Sequence, residues 1–233
     1  MKVRLRDAGK YLGFLLELRR YRSMAGAEDI SWRDLYPCLG DRTATTSFDT
    51  HYFYQDIWAF RKILESGARE HVDVGSKVDY VGFLSTITNV TFIDIRPLAT
   101  DLDSLNSRAG TILAMPYGDG SIPSLSCLHV AEHIGLGRYG DPLDPLGTAK
   151  ACRELARVLA PGGSLYFGLP VGRPRVCFNA HRVHAPDGIL AYFDGLRLAE
   201  FSFVDDGGRF TRNADMDKSR NAKYGCGLFH FVK

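Results

Sequence analysis

Short apolar runs along the chain alternate with stretches in which apolar residues recur every three or four positions, the pattern of strands interleaved with helices. Apolar runs fall at 71–75 (HVDVG), 90–95 (VTFIDI), 111–115 (TILAM), 124–130 (SLSCLHV) and 164–170 (SLYFGLP), and LAEFSFVDD and GLFHFVK follow as two closing strands. Helical spacing is predicted over 1–24, 48–67, Tyr80 to Thr86, 147–163 and 187–196. Ser47 or Asp49 would cap the second of these helices and Gly67 would end it, while Pro161-Gly162-Gly163 would stop the fourth. Fully apolar strands separated by helices are those of parallel βαβ units, buried on both faces. The expected fold is α/β, a single doubly wound and mostly parallel sheet over 68–233, preceded by an N-terminal helical cap or extension at 1–67.

Composition narrows this picture. A chain of 233 residues, 45% hydrophobic, can bury one substantial core. No apolar run approaches the ~20 residues of a membrane-spanning helix. No apolar segment with a cleavage site marks a secretory leader either. The five cysteines (Cys38, Cys127, Cys152, Cys177, Cys226) are scattered and form no CxxC pair. Reduced thiols in a cytoplasmic protein fit that usage. The net charge of +2 is uneven, because residues 1–22 carry Lys2, Arg4, Arg6, Lys10, Arg19, Arg20 and Arg22 against Asp7 and Glu17. That segment, with Tyr11, Phe14, Leu15 and Leu18, offers a peripheral contact with anionic lipid or a partner, or else a helix packed on the domain. Confinement of the positive charge to this end argues against nucleic acid.

In open α/β sheets, ligands bind beyond the carboxyl ends of the strands. Asp73, Gly75 and Ser76 follow the first strand, and Asp94, then Ile95 and Arg96, close the second. A carboxylate about 20 residues past a glycine turn is placed to accept from two vicinal ribose hydroxyls. A single glycine stands where a dinucleotide turn carries two or three, and no Tyr-x-x-x-Lys pair occurs, so a nicotinamide-dependent oxidoreductase is the weaker alternative.

VDVGS, FIDIR, LAMPYGDGSIPSLSCLHVAEHI and ACRELARVLAPGGSLYFGLPV together resemble class I S-adenosylmethionine-dependent methyltransferases, over roughly residues 68–172. More narrowly, LHVAEHIGLGRYGDPLDP with HYFYQDIWA and FNAHRV is similar to bacterial methyltransferase-like proteins that accompany surface-polysaccharide assembly enzymes. The resemblance implies a Rossmann-like methyltransferase fold with S-adenosylmethionine across the first four strands. It implies Asp73, Gly75 and Ser76 at the methionine part, Asp94 and Ile95 at the ribose, Thr111 and Ile112 at the adenine, and His129 on the sulfonium side. It also implies O-methylation of a small-molecule or glycan acceptor. Thr111 stands where many such enzymes carry an aspartate, and the thinned glycine turn leaves a non-catalytic methyltransferase-like scaffold as an alternative.

The segment HVAEHIGLGRYGDP concentrates the remaining chemistry. His129, Glu132 and His133 are spaced like neighbouring metal ligands, yet they lack a helix and a further ligand, so no metal is assigned. Methyl transfer is an in-line displacement that needs alignment and, for a hydroxyl acceptor, a base. Histidine suits that role near neutral pH. His133 is the first candidate, beside Glu132, and His181 the second, with a pKa expected near 6.5. Arg138, Tyr139 and Asp141 could line the acceptor pocket, as could Asn179 and Arg182 past the fifth strand. Tyr52, Gln55 and Asp56 share one helix face and are further candidates for contacting the acceptor. The bland alternatives are a histidine capping the core at 129, a Gly-Pro surface loop, and a solvated Arg182.

Overall fold

The computed structural model describes residues 8–233, which divide after Phe48 into two compact units. Lys2, Arg4, Arg6 and Asp7 of the charged N-terminal segment lie outside the described residues. In the first unit, helix α1 (Ala8–Arg22) buries none of its residues. Arg19, Arg20 and Arg22 end it, where the unpaired carbonyls of the last turn favour positive charge. Arg22 lies over the Trp32 ring at 4.6 Å, and Arg42 pairs with Glu17 at 2.8 Å.

The second unit opens with α2 (Thr50–Ser66). The Asp49 carboxylate accepts from the His51 and Tyr52 amides, and Gly67 ends the helix in a left-handed conformation. Strands β1 (Glu70–Val74), β2 (Asn89–Asp94), β3 (Leu105–Ala109), β4 (Ile122–Leu128) and β5 (Leu159–Val171) are parallel, in the order β3-β2-β1-β4-β5. Helices α3 (Val78–Leu84) and α4 (Gly147–Val158) belong to the crossovers. Beyond β5 the sheet continues through β10 (Gly225–Val232), β8 (Arg197–Val204) and β9 (Phe210–Thr211), with antiparallel pairing at each step. A hairpin of β6 (Arg175–Cys177) and β7 (His181–Val183) and helix α5 (Pro186–Tyr192) fill the connection between β5 and β8.

Strand side chains alternate between two cores. Val72, Leu125, Leu165, Phe167 and Phe229 pack with Ala151, Leu155 and Ile189 on one face. Val90, Phe92, Tyr166 and Leu228 pack with Trp58, Ile63, Tyr80 and Leu84 on the other. This is the doubly wound arrangement expected from the pattern.

Four details differ from the expectation. Helix α2 buries Trp58, Ala59 and Ile63 against the sheet, so the sheet unit begins at Asp49 rather than at residue 68. The third strand is Leu105–Ala109, not 111–115: as an edge strand it buries only Leu105, and its polar sequence carries no apolar signature. TILAM is instead a turn whose Ile112 and Met115 plug the core. Finally, α4 ends at Val158, and Ala160 to Gly163 already belong to β5, where a register shift between Ile122 and Ser124 absorbs the irregular backbone.

Candidate functional site

At the carboxyl ends of β1, β2 and β4 a cleft is lined by Gly75, Asp94, Ile95, Arg96, Thr111, Ile112, His129, Val130, His133, Tyr139 and Asp141, among others. Gly75 turns the chain out of β1 with φ +65°. That left-handed backbone favours glycine, and a Cβ there would also press on Val130 Cγ1 at 3.2 Å. Asp94 keeps 19% of its side chain exposed and accepts from the Arg96 amide at 2.7 Å. Ile95 is exposed, Thr111 Oγ1 accepts from the Leu113 amide, and Ile112 is buried beneath.

Asp73 and Ser76 sit elsewhere than the resemblance implied. Asp73 is fully enclosed: it accepts from the Ser76 amide at 3.0 Å, from Ser76 Oγ at 2.7 Å and from Ser126 Oγ. Burial nonetheless raises its pKa to about 7. The pair shapes the turn behind Gly75 and does not line the cleft.

His129 is unusual in both backbone and side chain. It is non-glycine at φ +56°, a conformation that costs of order 1–3 kcal/mol and persists only where neighbours enforce it. Its amide donates to Gly168 O at 2.7 Å, and its Nδ1 meets Gln55 Oε1 at 2.6 Å. Its Nε2 is buried with no hydrogen-bond partner. Burial, with smaller contributions from His51, His133 and His181 nearby, lowers its pKa to about 3. Gln55, expected to touch an acceptor, is fully buried and orients this ring instead. Tyr52 places its ring 5.2 Å from His129, and Asp56, raised to about 6 by burial, accepts from Gln55 at 3.2 Å.

The short helical turn Ala131–His133 follows. Glu132 is 0% exposed, and neither of its oxygens has a hydrogen-bond partner, so burial pushes its pKa up to about 8. His133 donates from Nδ1 to Ala180 O at 2.5 Å and turns Nε2 towards Glu132 at 3.6 Å. Burial takes His133 down to about 4, so near neutral pH this is a neutral pair rather than an ion pair.

The loop beyond closes the rim. Tyr139 packs beneath two guanidinium groups, Arg96 at 4.7 Å and Arg138 at 5.1 Å. Asp141 borders the cleft, but its carboxylate ties the loop by accepting from the amides of Gly135 at 2.6 Å and Tyr139 at 3.3 Å. Arg182 is neither solvated nor free for an acceptor. It donates to Ile134 O, Thr148 Oγ1 and Asp144 O, stapling the two ends of the loop. Asn179 (φ +61°) makes the β6–β7 turn and donates to Leu136 O at 3.4 Å. His181 stands at the hairpin's exit, its ring 5.0 Å from Tyr224. Gly135 has φ +81°, and a Cβ there would fall inside the carbonyl of Asp144. Gly135→Ala is therefore expected to cost about 2 kcal/mol or more, seen as a melting point several degrees lower. An unchanged melting curve would mean that the loop packs differently.

Sequence reasoning missed His51, Cys226 and Tyr224, which face this rim from α2 and from the start of β10.

Residues 120–221 match a family model described as a Caenorhabditis protein of unknown function, DUF268. No curated protein matches the chain. Among solved structures, N-methyltransferase NodS from Bradyrhizobium japonicum WM9, in complex with S-adenosyl-L-homocysteine, aligns at TM-score 0.56 and 17% identity, covering 94% of this chain and 97% of that one. Geranyl diphosphate C-methyltransferase from Streptomyces coelicolor A3(2) aligns at TM-score 0.54 and 13% identity, over 77% and 78%. The cyclase SpnF aligns at TM-score 0.58 and 13% identity, over 83% and 84%. The fold is thus the Rossmann-like methyltransferase fold. No helix among the described residues is long and apolar enough to cross a membrane.

Proposed function

We propose that the chain is an S-adenosylmethionine-dependent methyltransferase that O-methylates a hydroxylated acceptor, a sugar or surface-glycan intermediate. The observation that carries the reading is the meeting of the Gly75 turn and the Asp94 carboxylate in one cleft at the carboxyl ends of parallel strands. Gly75 leaves space at the turn, the partly exposed Asp94 side chain borders the cleft for the ribose hydroxyls, and Ile112 with Leu113 supplies an apolar wall for the base. When bound, the sulfonium supplies an electrophilic methyl group. The residues at the cleft align the acceptor and remove its proton. His133 takes that proton, its ring held by Ala180 O, and Arg138 and Tyr139 border the acceptor's approach. The glycan acceptor rests only on the resemblance carried by LHVAEHIGLGRYGDPLDP, HYFYQDIWA and FNAHRV.

Calorimetry of the purified chain with S-adenosylmethionine and with S-adenosylhomocysteine tests the reading. Asp94→Ala is expected to weaken binding roughly 10- to 100-fold, the loss of a charged acceptor worth ~1.5–3 kcal/mol. Equal affinity in that variant removes the ribose role. No binding by the unaltered chain at millimolar ligand favours the scaffold alternative.

A further inference from the structure

We infer that His51, His129 and Cys226 form a mononuclear zinc(II) site. One donor atom from each lies within 4.8 Å of the others. Two nitrogens and a sulfur on a tetrahedral zinc stand roughly 3.3–3.6 Å apart, a distance that small side-chain rotations reach from this arrangement. The ring of His129 is already prepared. Its Nδ1–H is committed to Gln55 Oε1, so Nε2 presents a lone pair, buried and unpartnered. A bare buried lone pair is costly unless something accepts it. His51 stacks on the Tyr224 ring at 5.2 Å, with the Tyr224 backbone beside its imidazole, which restricts its orientation too. Metal-bound histidines characteristically donate their second nitrogen to such a fixed acceptor.

Cys226 is fully buried at the start of β10, and the Glu132 carboxyl lies close enough to act on it electrostatically. A thiolate and this carboxylate together would balance a divalent charge. Both Glu132 oxygens are buried without a hydrogen-bond partner, a second polar group whose burial a nearby cation would offset. The donor set of two imidazoles and one thiolate suits zinc and excludes magnesium or calcium, which take oxygen ligands. Three protein ligands leave an open fourth position, as in catalytic rather than structural zinc sites. Ion binding does not rest on the methyl-transfer reading. Use of the open position to lower the pKa of an acceptor does.

The test is a cobalt(II) titration of the full chain after removal of adventitious metal. One equivalent is expected to bind with a thiolate-to-cobalt charge-transfer absorption, and zinc should displace it. Cys226→Ser should lose that absorption, while Cys38→Ser and Cys177→Ser keep it. Gln55→Leu, which frees the His129 ring, should weaken binding about 10- to 100-fold. Should Cys226→Ser fail to fold, His51→Ala, on the partly exposed first turn of α2, carries the same test through lost affinity. Absence of stoichiometric cobalt binding, or a charge-transfer band that survives in folded Cys226→Ser, overturns the site. Calorimetry with S-adenosylhomocysteine on the same samples reads the cofactor independently, so the two readings fail separately.

Discussion

His133→Ala is expected to slow methyl transfer by about 10²–10⁴-fold while cofactor affinity stays within a few-fold. The ring borders the cofactor cleft and its Nδ1 is spent on Ala180 O, so Nε2, 3.6 Å from the neutral Glu132, is the nitrogen left to take the acceptor's proton. The structure alters one part of the expectation from sequence. A pKa near 6.5 would put a limb in the rate profile near neutrality, but burial holds His133 at about 4. The base is therefore deprotonated throughout the neutral range, and turnover should show no histidine limb between pH 5.5 and 7. A limb near 8 would belong to Glu132, whose neutral form faces the same nitrogen. Turnover per folded molecule, melting temperature and the pH profile are measured on the same pair of proteins. A stable variant with normal turnover passes the role to His181. A variant that only melts earlier leaves His133 as part of the core.

The second large effect is on stability against pH in the metal-free chain. Burial holds His71 at about 3, His129 at about 3, and His133 and His184 at about 4. Below pH 6.5 the unfolded chain binds protons that these folded rings refuse, so stability falls as pH falls. Burial acts in the opposite sense on Asp56, Asp73 and Glu132, raised to about 6, 7 and 8. Their folded forms keep protons that the unfolded carboxylates release above about 4.5, so stability falls as pH rises towards 8. The two sets oppose each other between about 4.5 and 6.5. Below that window the histidines act, joined by carboxylates that their partners hold low, such as Glu154 and Glu200, and above it the raised carboxylates act. Each unmatched proton is worth about 1.4 kcal/mol per pH unit. The melting temperature should therefore peak near pH 6, fall on both sides, and drop most steeply below pH 4.5. Glu132→Gln should flatten the alkaline side. A melting temperature that keeps rising from pH 6 to 8 would mean that Asp73 and Glu132 are ionised in the folded chain.

The alternation of apolar runs with helical spacing was enough to reveal the doubly wound sheet and its chemical rim. The inner parallel strands β1, β2, β4 and β5 are largely buried and leave mostly apolar runs, and Asp94 and Gly75 fall at strand ends by sequence alone. The same pattern was blind to β3, because an edge strand with one buried residue needs no apolar signature. It misplaced α2, because a helix's apolar face shows that it packs but not on what. Roles were harder still. Arg182 and Gln55 looked like acceptor contacts, and only the folded chain shows their polar groups occupied by loop carbonyls and by His129. The grouping of His51, His129 and Cys226 has no local signal at all. Strand order sets β10 beside β5, where His129 bonds the Gly168 carbonyl, and α2 places its first turn above them. Local periodicity is written into neighbouring residues because burial acts on each segment separately, whereas convergence of distant side chains exists only once the sheet has chosen its order.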